Sequence, residues 1–370
     1  MSNGQKKILL ISNLPLARAG VQAVIMNTVR NLSAEYTFDI LLLSEKKACY
    51  DEEFLSFGGK IFRIKDKKGA FWSRADYYIR ALRLYKETRR ILKENGPYEA
   101  VHCHCHLEAG PCLAAAKKAG VPLRIAHTHI VHTKAHPISR IYDRVYRLLI
   151  ERNANCKLGC SEIANHTFYK NSDDARVLNN PYDTERFCYE KYPHVTPSTP
   201  AIVQTGSFSD NKNQLFSLDI ISEIKKEYPS VRFDMVGFDH GGILDKIKSK
   251  ISELGLEENV TIHPSDTDTA ELYAKASYTL FPSKREGFGI VAVEAQAMGV
   301  KCFASDTVPK STNCGGCEYL PLSAGATAWA ERIISDFKET GGRHSQYDCS
   351  AFAMQKITDQ YRKIYQGASS

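Results

Sequence analysis

"YTLFPSKREGFGIVAVEAQAMG", residues 278–299, decides how this chain is read. Its first six residues are apolar and β-rich, as a short buried strand is. "KREGFG" is a loop, and "IVAVEAQAM" has the composition of a helix, closed by Gly299. A strand that runs through a glycine loop into a helix is the unit of a parallel α/β sheet. Free backbone N–H groups at such a helix start favour an anion by ~0.3–1 kcal/mol, and by ~2 in a partly buried site. The loop and helix also hold two carboxylates, Glu286 and Glu294. These oppose an anion unless they face neutral hydroxyls, from which they accept charge-assisted hydrogen bonds worth ~1.5–3 kcal/mol. A ligand with a diphosphate in the middle and a sugar at each end satisfies both demands. The plainer reading makes Glu286 a first-turn dipole partner and Glu294 a solvated helix residue.

The same unit recurs along the chain. "KILLIS" (7–12), "FDILLLS" (38–44), "YEAVHCH" (98–104), "LRIAHTH" (123–129) and "CKLGCS" (156–161) read as buried parallel strands. Amphipathic stretches such as "VQAVIMNTVRNL" (21–32) and "EAGPCLAAAKKAG" (108–120) lie between them. "YPHVTPSTP" (192–200), with three prolines, reads as a linker. The alternation resumes with "AIVQTGS" (201–207), "VRFDMVG" (231–237), "VTIHP" (260–264), the strand at 278–283 and "KCFAS" (301–305). The expectation is α/β, with two Rossmann-like doubly wound domains facing a cleft: 1–190 on the acceptor side, joined by a returning helix at 353–370, and 191–352 holding the nucleotide.

Composition narrows the class. At 370 residues, 43% hydrophobic and 25% charged, the chain is globular, and two domains are its natural number. No apolar run approaches the ~20 residues of a membrane span. The apolar run in "MSNGQKKILLIS" is too short for a signal peptide. Eleven scattered cysteines, an odd number, point to reduced thiols and a cytoplasmic location. The net charge of +7 divides into +10 over residues 1–190 and −3 over the remainder, which places a phosphate-bearing partner beside the first half.

With these residues in view, "FPSKREGFGIVAVEAQAMG" resembles the E-x7-E signature of family-four retaining glycosyltransferases of the GT-B fold. "AGVQAVIMNTVRNL", "AGVPLRIAHTHI", "RVLNNPYDTERF", "QTGSFSDNKNQLFSLDII" and "VRFDMVGFDHGG" resemble further segments of that family, in order and spacing. The resemblance covers nearly the whole chain and is closest to bacterial capsule, exopolysaccharide and O-antigen sugar transferases.

It implies a transfer from a nucleotide-diphosphate sugar, a UDP-sugar, to a hydroxyl of a glycan or lipid-linked glycan, with retention of configuration and no metal or other cofactor. Glu286 would hold hydroxyls of the transferred sugar, Glu294 the ribose. Lys212 and the backbone of Gly287, Phe288, Gly289 and Ile290 would hold the diphosphate. Gly20 would let the first loop approach the phosphates. Gly206, Ser207 and Gly237 would line the donor site, and His127 or His129 would face the donor sugar. Spacing puts both histidines on one face; His129, nearer the strand's carboxyl end, is preferred.

Three departures stand out. Ser207 replaces an arginine expected to neutralise the diphosphate, with Lys284 or Arg285 as substitutes. Ala19–Gly20 replaces paired glycines, and Asn180-Pro181-Tyr182-Asp183 replaces N-G-I-D. Ser207 keeps a non-catalytic nucleotide-sugar binder open, and the shared fold keeps an epimerase open.

Other stretches invite competing readings. "HCHCH" (102–106) puts His102, His104 and His106 on one strand face and Cys103 and Cys105 on the other. Strand-end packing is preferred there over a metal site. "CGGC" (314–317) has no second pair, and Asp268 in "DTD" (266–268) reads as a helix cap with Glu271. Residues 74–93 carry seven Lys+Arg against two Asp+Glu, and 134–152 five against two, with apolar residues at helical spacing. They read as amphipathic helices, or as peripheral contact with an anionic membrane on the inner face of the plasma membrane. No nucleic-acid motif accompanies the charge.

Overall fold

The computed structural model describes residues 5–17, 20–64, 74–131, 140–239, 241–342 and 345–367, with only the backbone of 74–77. The chain divides into two compact units, Met1–Asn180 with Met354–Ser370, and Pro181–Ala353.

In the first unit the strands β1 (Lys6–Ser12), β2 (Tyr36–Leu42), β3 (Ile61–Arg63), β4 (Ala100–His104), β5 (Leu123–Thr128), β6 (Cys156–Gly159) and β7 (Ala175–Val177) alternate with helices. These are α1 (Gly20–Leu32), α2 (Asp51–Ser56), α3 (Arg74–Asn95), α4 (Ala109–Lys118), α5 (Arg140–Asn153) and α6 (Glu162–Phe168). Among the described residues the strands form one parallel sheet in the order β3-β2-β1-β4-β5-β6-β7. The order reverses between β1 and β4, so ligand-binding loops are expected at the carboxyl ends of these strands.

The second unit repeats the scheme with β8 (Ala201–Thr205), β9 (Arg232–Val236), β10 (Val260–His263), β11 (Tyr278–Phe281), β12 (Lys301–Ser305) and β13 (Cys317–Leu320). Its helices are α7 (Gln214–Lys225), α8 (Leu244–Glu253), α9 (Thr269–Ala274), α10 (Ile290–Ala297) and α11 (Gly325–Thr340). Its described strands are also parallel, in the order β10-β9-β8-β11-β12-β13, with the reversal at β8 and β11. The last helix, α12 (Met354–Tyr365), belongs to the first unit.

Each sheet is covered on both faces, as continuous apolar strands require. In the first unit Ile8, Leu10 and Ile40 pack with Val24, Val29, Ile357 and Tyr361, from α1 and α12. On the other face Leu9, Ile11, Val101 and Cys103 pack with Leu84, Leu113 and Ile150, from α3, α4 and α5. In the second unit Ile202, Phe233 and Leu280 pack with Leu218, Ile247 and Trp329. No described helix is long and apolar enough to cross a membrane.

The boundary corrects the sequence expectation. Residues 181–190 belong to the second unit, because Tyr182 and Phe187 pack against Tyr273 and Met298 there. The proline stretch at 192–200 forms no helix or strand and lies inside that unit. His106 is a second correction. The chain leaves β4 at His104, and His106 takes a φ of 53°. Its ring lies 4.7 Å from Phe168, which packs in the cluster that holds Cys103 and Cys105.

Candidate active site

The second unit's site forms where two loops are stitched together. The 206–213 loop follows β8, and the 282–289 loop follows β11, the strand beside it. The Lys284 amide donates to Asn211 O at 2.8 Å, and Asn211 Nδ2 donates to Arg285 O at 2.8 Å. Asn213 Nδ2 donates to Pro282 O at 3.2 Å. Asn213 itself is left-handed, φ 58°, a conformation asparagine tolerates, and α7 starts at the next residue. The loops therefore hold Lys212 and Glu286 together: Lys212 Nζ lies 2.6 Å from Glu286 Oε1, with both side chains largely buried. Lys212 also lies 4.9 Å from the centre of the Phe281 ring.

The glycines serve close approach. A Cβ on Gly237 would sit 2.1 Å from Gly206 O, so β8 and β9 can end side by side only with hydrogen there. Gly206 adopts φ 134° beneath the Lys212 side chain. Gly289, φ 95°, turns the chain into α10 against Phe281, where a Cβ would sit 2.8 Å from the ring. Phe288 is buried with its ring edge-on to Phe352 at 5.6 Å, which anchors the loop. Ile290 opens α10, so the amides of the Gly287–Gly289 loop precede a helix start. In the first unit Gly20 opens α1, and a Cβ there would meet nothing within 4 Å. Its neighbour Ala19 lies outside the described residues.

Ser207 contributes its carbonyl, which accepts from Gln214 Nε2 at 3.0 Å and braces the loop. Of the substitutes for the expected arginine, Lys284 is bound to exposed Asp210 at 2.7 Å. Glu294 lies one turn into α10 and is half-buried. Burial pushes its carboxyl up to about 7; Arg186 opposes this and Asp183 adds to it. Sequence reasoning placed Asp183 only in the interdomain motif and missed Arg186. Asp183 Oδ1 accepts from the Arg186 amide at 3.0 Å, and Arg186 reaches Asp268 at 3.2 Å. An aspartate followed by an arginine three residues on was the signal available.

The first unit gathers four histidines. His102 and His104 from β4 face His127 and His129 at the end of β5. His102 Nδ1 is 2.8 Å from Tyr365 Oη, and His102 Nε2 is 3.2 Å from His127 Nδ1. His104 Nδ1 is 2.8 Å from His129 Nε2. Burial drives all four toward the neutral form: His102 falls to about 3 and His129 to about 4, with His104 and His127 well below the usual value. His127 Nε2 is buried without a hydrogen-bond partner, and the buried His129 Nδ1 lies beside the Asn180 side chain, which favours its protonated form. His102, His104 and His127 offer ligand atoms within 4.8 Å of one another, close enough to share a metal ion. Both ring nitrogens of His102 are, however, already hydrogen-bonded.

The remaining motifs are structural. Asp268 caps α9 by accepting from the Ala270 amide at 3.1 Å. The "CGGC" turn is held by Gln296 Oε1, which accepts from the amides of Cys314 and Gly316 at 2.7 and 3.0 Å. All eleven cysteines are free thiols.

Comparison with known proteins places this geometry. The model for Glycosyltransferase Family 4 matches residues 18–186, and that for glycosyl transferases group 1 matches 193–312. The Bacillus subtilis protein EpsF, named as a glycosyltransferase, is 29% identical over 350 residues, covering 90% of this chain and 88% of its own. The Staphylococcus aureus capsular polysaccharide biosynthesis glycosyltransferase CapH is 24% identical, covering 94% of this chain and 95% of its own. Among solved structures, HepE from Anabaena, crystallised with UDP, superposes with a TM-score of 0.78 at 16% identity, over 98% of this chain and 100% of its own. Two matched domains, relatives aligned from end to end and a shared two-sheet fold leave one assignment: the chain is a GT-B glycosyltransferase and belongs to glycosyltransferase family four.

Proposed function

We propose that the protein transfers a sugar from a UDP-sugar to a hydroxyl of a lipid-linked glycan in surface polysaccharide synthesis, retaining anomeric configuration without a metal. The observation that carries this reading is the Lys212–Glu286 pair at the start of α10, with Glu294 one turn further in. One cation and a helix start receive the diphosphate, and a carboxylate on each side receives hydroxyls. The likeness to HepE, which was crystallised with UDP and with UDP-glucose, supports the base and the donor class. The capsular role of CapH supports the pathway.

In this reading the diphosphate displaces Glu286 from Lys212. Negative charge grows on the leaving diphosphate as the glycosyl bond breaks, and Lys212 and the loop amides stabilise it. The freed Glu286 accepts hydrogen bonds from the sugar. Of the two histidines, His129 takes the donor-facing role that the resemblance implies, because it is half-buried where His127 is buried. The acceptor hydroxyl attacks from the face the leaving group vacates and passes its proton to the departing phosphate. The basic helices α3 and α5 contact the anionic membrane that carries the acceptor.

The test is the thermal midpoint with UDP, GDP and ADP, for the wild type and Glu294→Ala. A ligand at 100 times its dissociation constant adds ~2.7 kcal/mol. UDP should raise the midpoint of the wild type and leave the variant unmoved. A shift by GDP alone reassigns the base, and no shift by any nucleotide overturns the donor site.

A further inference from the structure

The four histidines form two layers. In the inner layer a hydrogen-bonded chain runs from Tyr365 Oη through His102 to His127. In the outer layer His104 Nδ1 meets His129 Nε2 at 2.8 Å. The layers lie one above the other along each strand, tilted by 33°, with ring centres 4.0 Å apart between His102 and His104 and 4.1 Å apart between His127 and His129. A neutral imidazole carries one N–H and one lone pair, so a bond at one nitrogen decides what the other offers. His129 is tied at Nε2 by His104 and tilted against His127, and its buried Nδ1 lies beside the Asn180 side chain.

We propose that His104, backed by the Tyr365–His102 pair, is a positioning residue that fixes the ring orientation and tautomer of His129. The inference rests on the donor-facing role of His129 proposed above. His104 touches no substrate in this scheme. It holds one imidazole within the narrow range of orientation that a reacting group needs, where a displacement of about 1 Å can cost 10²-fold in rate. Tyr365 sets the rotation of the His102 ring against which His104 packs at a tilt. The reaction site thereby depends on a residue of the last helix, 263 positions away from His102.

The experiment uses the full chain labelled with 15N-histidine, with the His129 signals identified by their loss in His129→Ala. The wild type should show His129 in a single tautomer. His104→Leu should turn it into a tautomer mixture. His104→Asn, whose amide reaches the place of Nδ1, should restore the single state, and Tyr365→Phe should broaden it. UDP release from UDP-glucose, followed on the same variants, should fall roughly 10- to 100-fold in kcat for His104→Leu, with KM within about threefold. An unchanged His129 tautomer in a folded His104→Leu protein, read from an unaltered thermal midpoint, overturns the positioning role. If the tautomer responds but His129→Ala leaves UDP release unchanged, the ring is positioned as stated and the donor-facing reading is what fails.

Discussion

The two carboxylates of the proposed donor site stand in opposite electrostatic situations. Glu286 is neutralised by Lys212 at 2.6 Å, so without donor its charge screens the lysine from any other anion. Replacing it with glutamine should therefore tighten UDP binding about three- to tenfold while slowing transfer roughly 10²-fold, since the sugar keeps only a neutral acceptor in place of the charged one. Calorimetric titration with UDP beside a turnover assay checks this; weaker UDP binding would show that Glu286 does not compete for Lys212. Glu294 has no such partner, and its carboxyl is raised to about 7 by burial. Between the ordinary carboxylate range and pH 7 the folded protein thus holds a proton that the unfolded chain has lost. Stability without ligand falls as pH rises across that window, by about 3 kcal/mol at most, and is flat above it. Glu294→Gln should remove that slope and leave the protein more stable at pH 8 but no different at pH 4. Urea titrations at the two values measure it, and a slope that persists in the variant assigns the proton elsewhere. UDP binding should move oppositely, weakening as pH falls through 7, because ribose hydroxyls need the ionised acceptor.

At the scale of elements, the loops after β8 and β11 work only because their strands end close together. The Gly206–Gly237 approach makes this a backbone matter: Gly237→Ala puts a methyl 2.1 Å from a carbonyl oxygen. The expected cost is roughly 1–3 kcal/mol in urea unfolding, together with loss of the thermal response to UDP as Lys212 shifts. A variant that loses neither would show that the approach is slack. These elements were also the readable ones. Central strands such as β4 and β11 announce themselves as apolar runs, and Lys212, Glu286 and Glu294 sit in motifs whose spacing reflects a loop and one helical turn. Of the four edge strands, β10 was read, whereas β3, β7 and β13 span three or four residues and mix charged with apolar side chains, leaving no apolar run to mark them. His106 was assigned to the wrong face because alternation assumes that the strand continues, and here the backbone turns left-handed. Tyr365 escaped for another reason: what it does depends on a partner 263 residues away, which no local pattern encodes.

For the whole molecule the uneven charge is the feature that organises behaviour, with +10 on residues 1–190. α3 and α5 flank α4 on one side of the first sheet and carry exposed apolar residues beside their cations: Tyr78, Ile79 and Leu82 on α3, and Ile141, Val145 and Leu148 on α5. Part of the basic stretch, 134–139, lies outside the described residues. Some of the charge is already engaged, since Arg80 binds Glu108, Arg90 binds Glu87 and Glu94, and Arg147 holds the carbonyls of Thr167 and Phe168. At ~1 kcal/mol for each cation near an anionic surface, the rest supports reversible binding rather than anchorage. The protein should sediment with phosphatidylglycerol vesicles at low salt, release in 0.5 M salt as screening lengths fall to a few Å, and ignore phosphatidylcholine. Ile79→Ser with Val145→Ser should weaken this binding without moving the thermal midpoint, because both residues are exposed. Equal binding to neutral and anionic vesicles, or none to either, would leave these two helices as the solvated outer layer of a sheet, and the lipid-linked acceptor would have to reach the enzyme by another surface.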